Sequence, residues 1–94
     1  MTVTEILRQV GTPQAAVLKE HVTLLALSKL SRYEAECSLF EAKYQEPLSS
    51  FRQRLQSMTD KEDFEADDDL ADWDFAERAV HWWRETLAAL RHAD

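Results

Sequence analysis

Nine carboxylates crowd residues 60–74, namely Asp60, Glu62, Asp63, Glu65, Asp67, Asp68, Asp69, Asp72 and Asp74, with Lys61 as the one cation in the run. Carboxylates at that density can coordinate a hard cation, attract a basic partner, or cap the start of a helix. Read as a calcium loop, Asp63, Glu65, Asp67, Asp69 and Asp74 fall at positions one, three, five, seven and twelve, with Leu70 at eight. The fit fails because Asp68 stands where the loop needs glycine and Asp74 where it needs the longer bidentate glutamate. No metal and no cofactor is assigned on this pattern. The run carries −8 while the whole chain carries −7, so the remaining residues sum to about +1 and the acidity is a local patch.

Other reactive side chains are scattered. His21, His81 and His92 lie far apart in sequence, and although Glu77, His81 and Glu85 follow one another at i,i+4, the paired Glu-x-x-His motifs of carboxylate-bridged bundles are missing. Cys37 sits between Tyr33 and Phe40 at helical spacing, which makes it a small buried hydrophobe. Ser49 and Ser50 follow Pro47 and suit the first turn of a helix. With no glycine-rich phosphate loop and no nucleophile motif, the chain reads as non-enzymatic. Its basic residues alternate with acids, which disfavours direct nucleic-acid contact. Arg52 and Arg54 form the one local concentration and are expected to face the acidic run.

The elements that must position these groups are helices. Among 94 residues there is one glycine and there are two prolines, too few positive-φ formers for hairpins, so the fold class is all-α. The longest apolar run is Leu24-Leu25-Ala26-Leu27, so no secretory segment or membrane span is expected, and the reading is a soluble cytoplasmic protein with no membrane partner. Residues 1–11 read as an arm or short helix ended by Gly11; Thr12 and Pro13 have the form of an N-cap and first helical residue. A long helix is expected over 13–45, a short one over 48–58 after Pro47, an acidic connection over 59–66, and a last helix over 67–91 opened by Asp67, Asp68 and Asp69.

In the second half of the long helix Leu30, Tyr33, Cys37, Phe40 and Tyr44 form a narrow stripe suited to one partner helix. In its first half Val17, Leu18, Val22, Leu24, Leu25, Leu27 and Leu30 surround the axis, so more than one face must be covered. The last helix offers Leu70, Trp73, Ala76, Val80, Trp83, Leu87 and Leu90, with Phe75 and Trp82 at the margin, where Trp82 fits either core packing or a partner hot spot. The expected architecture is a long antiparallel hairpin with a short middle helix, its bundle completed by homodimerisation through the end that holds residues 17–30, Trp82, Trp83 and Leu87.

Two stretches carry a family resemblance. Lys19-Glu20-His21-Val22 with residues 24–36, and Asp68-Asp69-Leu70 with Asp72-Trp73 and Phe75-Ala76, resemble a family of small, acidic, all-helical prokaryotic proteins without assigned activity. Members of that family look like antitoxin-type partners of small toxins. The resemblance spans most of residues 17–90 and implies a protein-binding role without assigning any residue a function.

The function expected on these grounds is a protein–protein interaction module. Asp63, Glu65, Asp67, Asp68, Asp69 and Asp72, with Phe75 and Trp82, would engage a basic, toxin-like protein. The alternatives are a carboxylate metal-binding bundle and a purely structural homo-oligomer whose acidic turn is only solvated.

Overall fold

The computed structural model describes residues 1–11, 14–58 and 63–92, apart from the side chain of Leu7. Four helices follow in order: α1 (Val3–Val10), α2 (Gln14–Tyr44), α3 (Leu48–Gln56) and α4 (Phe64–Arg91). The expected cap at Thr12, Pro13, and the acidic residues Asp60 and Glu62 with Lys61 lie outside the described residues.

Helix α1 starts with a capping box. The Thr2 hydroxyl accepts from the Glu5 N–H at 3.1 Å while the Glu5 carboxylate accepts from the Thr2 N–H at 3.2 Å. Gly11, at φ 77°, closes it by donating its N–H to the Arg8 carbonyl. Helix α2 ends differently, because no glycine is available there. Gln45 takes the left-handed conformation at φ 55°, donates its N–H to the Glu41 carbonyl at 2.8 Å, and donates its side-chain amide to the Ala42 carbonyl at 2.7 Å. Pro47 then holds an extended backbone and its carbonyl accepts from the Phe51 N–H, which starts α3.

The last helix begins three residues before the expected Asp67. Asp63 is its N-cap, extended in backbone, with a side-chain oxygen that accepts from the Ala66 N–H at 3.1 Å. An aspartate placed ahead of the Ala66, Leu70, Trp73 periodicity satisfies the cap first, so the acids that follow are drawn into the helix. Capping and the helix dipole account for Asp63, Glu65 and Asp67, whereas Asp68, Asp69 and Asp72 lie beyond the first turn. The same helix removes the loop geometry that calcium coordination by Asp63, Glu65, Asp67, Asp69 and Asp74 would need.

α2 and α4 pack as an antiparallel hairpin, with Lys43 opposite Asp69 near the connection and Glu34 opposite Arg84 farther along. α3 packs on α4 at the closed end. There Cys37, Phe51, Ala66, Trp73, Ala76 and Val80 form the core, flanked by Leu30, Tyr33, Phe40, Tyr44, Leu48, Leu55 and Leu70. Phe40, Tyr44 and Phe51 surround the fully buried Trp73 with ring centroids 5.5 to 6.2 Å away. The stripe of α2 is therefore a core stripe, as its spacing implies. At the open end the only buried residue of α2 is Ala26.

Candidate functional site

The acidic segment divides into acids that are already paired and acids that are not. Lys43 bridges Glu65 at 2.7 Å and Asp69 at 2.6 Å, and the Tyr44 hydroxyl donates to the same Asp69 carboxylate. Burial alone would push the Asp69 carboxyl up, but the hydrogen bonds from Lys43 and Tyr44 outweigh it and hold it below its ordinary value. In return Lys43 is held well above its ordinary value by those two carboxylates. Burial, and then the bond to Asp69, push the Tyr44 hydroxyl up. Asp74 is gripped from two sides, by Arg52 of α3 and by Arg78 one turn along α4, whose Nε donates at 2.8 Å. Arg54 does not pair with the acidic run: two residues on from Arg52 it lies about 200° around α3 and pairs with Glu46 of the α2–α3 connection at 2.9 Å.

Past the capping Asp63, the acids of this segment with no ion-pair partner among the described residues are Asp67, Asp68 and Asp72, all exposed. Asp67 lies toward α3, beside Arg52, Leu70 and Asp74. Asp68 and Asp72 are one turn apart and share a face of α4 with Phe75, at i, i+4 and i+7. Trp82 continues that face, about 21 Å from Asp68 at ~1.5 Å per residue. It is 57% exposed and meets Trp83 edge to face at 4.6 Å, so it is not a core residue.

Beside this strip runs a groove of about 440 Å³, walled by Asp72 and Phe75 of α4 and by Arg32, Tyr33, Glu36, Leu39, Phe40 and Lys43 of α2. Its apolar members remain open to solvent: Leu39 is 70% exposed, and Phe75 is 61% exposed although its ring rests edge-on against Tyr33 at 5.8 Å. On the α2 wall Arg32 pairs with Glu36 at 3.3 Å and Lys43 with Glu65 and Asp69, which leaves Asp72 as the groove's surplus negative charge among the described residues, with Asp68 one turn away on α4. The structure thus joins Asp72 and Phe75 to Tyr33, Leu39, Phe40 and Lys43, which the acidic pattern alone did not single out. The signal for Leu39 was its place off the Leu30, Tyr33, Cys37, Phe40, Tyr44 stripe, on a face otherwise polar around it.

Other chemistry is weak. Cys37 is buried, and burial together with the nearby charges of Glu77, Glu41, Glu36 and Glu34 pushes its thiol up to about 11, the opposite of what a nucleophile needs. Among the described residues no group of three or more His, Cys, Asp or Glu side chains is placed to hold a metal ion. Among the same residues no helix is long and apolar enough to cross a membrane.

The fold and the groove define a class: an elongated helical hairpin that presents an acidic, aromatic-lined cleft. No model of a known family, no curated protein and no solved structure matches the chain.

Proposed function

We propose that the chain is a non-enzymatic protein–protein interaction module whose acidic cleft binds a basic, amphipathic segment of another protein. The observation that carries this reading is the groove between Tyr33, Leu39, Phe40 and Phe75, with Asp72 on its α4 wall and Asp68 one turn away along α4, neither of them ion-paired among the described residues. A ligand segment with one apolar side chain for the aromatic floor and a Lys or Arg one helical turn away fits both features. An antitoxin-like role, in which a basic toxin is the ligand, is the particular form suggested by the sequence resemblance. The same reading has the module associate with a second copy of itself through its other end, away from the acidic segment.

Fluorescence anisotropy with three labelled peptides of equal length tests the cleft: a cationic amphipathic peptide, a cationic peptide without apolar residues, and an acidic amphipathic peptide. The first should bind best, and its affinity should fall as salt rises from ~0.05 to ~0.5 M. Two exposed pairs at ~0.2–1 kcal/mol each predict that Asp68→Asn with Asp72→Asn weakens it by roughly two- to thirtyfold. Equal affinity for all three peptides, or affinity unmoved by salt and by the double variant, rejects the reading.

A further inference from the structure

Among the described residues nothing covers the apolar surface at the open end of the hairpin. α3 supplies a third helix only at the closed end, where the core lies. The other short helix, α1, leaves its own Val3, Ile6 and Val10 exposed, and Leu18, Leu24, Leu25 and Leu27 at the open end are exposed as well. The result is a molecule 65 Å long and 28 by 19 Å across, with a radius of gyration of 19.7 Å where a compact chain of this length has about 12 Å. Its accessible surface is 7215 Å², against about 5,600 Å² for a compact monomer of 10.9 kDa, an excess of roughly 1,600 Å². Permanent homodimers bury about 1,000 to 2,500 Å² on each protomer, so the excess is the area one such interface removes.

The side of the hairpin that bears this surface follows from spacing. Arg32 and Leu39 in the groove wall are seven residues apart, and Leu25 and Leu18 continue the series along α2, with Val22 between them at i+4 from Leu18. On α4, Phe75 in the groove wall is followed seven residues later by Trp82. Because a seven-residue step nearly restores the same face of a helix, Leu18, Val22, Leu25 and Trp82 lie on the groove side, at the open end. Leu18 is 64% exposed there, and the four form the apolar half of a side whose other half holds Asp68 and Asp72.

We infer that this open-end face, Leu18, Val22 and Leu25 of α2 with Trp82 of α4, is a homodimer interface whose occupant is the same face of a second copy. The two-fold axis passes through the open ends, giving a central four-helix bundle. Charge sets that choice. Overlap at the open ends keeps the two acidic segments at opposite extremes of the dimer, whereas a side-by-side parallel pairing would bring Asp67, Asp68 and Asp72 of both copies together and repel. The interface rests on the self-association in the proposed function but not on the acidic cleft, so a failed dimer test leaves peptide binding by the cleft untouched.

The test is light scattering coupled to size exclusion, with small-angle X-ray scattering, on the full chain at tens of micromolar. The wild type should have a mass of about 22 kDa, twice the 10.9 kDa of the chain, and a maximum dimension well beyond the 65 Å of one protomer. Leu18→Lys with Leu25→Lys should give the single-chain mass with unchanged far-ultraviolet helicity. Leu24→Lys, about as exposed as Leu18 but about 100° around α2 from Leu25, should stay dimeric. A folded wild-type monomer, a dimer no longer than one protomer, an assembly larger than a dimer, or a dimer broken by Leu24→Lys and kept by the double variant overturns the inference. Should the double variant not fold, Trp82→Lys takes its place with the same expected mass.

Discussion

Replacing Trp73 tests the core most directly, because it and Phe51 are the large side chains with no solvent contact. Trp73 of α4 is held among Phe40 and Tyr44 of α2 and Phe51 of α3, so it joins the three helices of the closed end. Truncation to Ala removes the indole and leaves a cavity, at a cost of about 3–5 kcal/mol. A chain of 94 residues has about 5–14 kcal/mol in total. With a urea dependence of about 1 kcal/mol per molar, the midpoint of Trp73→Ala should fall by roughly 3 M or the transition should vanish. Trp73→Phe is a different matter, because the indole Nε1 is buried without a hydrogen-bond partner among the described residues. Phe keeps a ring in the stack, loses about 1–2 kcal/mol of filled volume, and removes an orphan donor whose burial costs about 1–3 kcal/mol. Its stability should therefore stay within about 1 kcal/mol of the wild type. Urea unfolding followed by far-ultraviolet circular dichroism at one fixed protein concentration reads both variants. If Trp73→Phe costs as much as Trp73→Ala, the reasoning about the orphan donor is wrong; if neither costs more than about 1 kcal/mol, the core is not where the structure puts it.

Three further outcomes follow from the closed end. Asp63→Ala removes the cap of α4 and should cost about 0.5–2 kcal/mol, whereas Asp68→Ala, past the first turn, should cost little; urea midpoints separate the two. Asp69 has a lowered pKa in the fold, so its contribution is present above the ordinary carboxylate value of 3.8 and is lost as pH falls through its lower folded value. The stability gap between wild type and Asp69→Asn should therefore be full at pH 6 and close on acidification below about pH 4, and a gap that persists at low pH would contradict the Lys43–Tyr44 cradle. Cys37, pushed up to about 11 from 9.0, should react with a disulfide reagent at pH 8 at least ~100-fold more slowly in the folded chain than in urea, and rates within tenfold of each other would place the thiol at the surface.

Periodicity and punctuation alone determined most of the fold. The scarcity of glycine, the breaks at Gly11 and Pro47, and the three-and-four spacing of Leu30, Tyr33, Cys37, Phe40 and Tyr44 are local facts, and local facts decide which face of a helix must be buried. The apolar excess of residues 17–27 was legible for the same reason, and it survives in the structure as exposed Leu18, Leu24, Leu25 and Leu27. The N-cap was less legible, since Asp63 and Asp67 are both plausible capping residues in sequence and only the register of Ala66 and Trp73 against α2 selects the first. What the sequence could not decide is which acids are available to a partner. Charge in a chain is a sum, but charge at a surface depends on what lies opposite: Lys43 and Tyr44 take Asp69 from 26 and 25 residues away, Arg52 takes Asp74 from 22, and only the folded hairpin sets Asp72, with no ion pair among the described residues, beside Phe75 and Leu39.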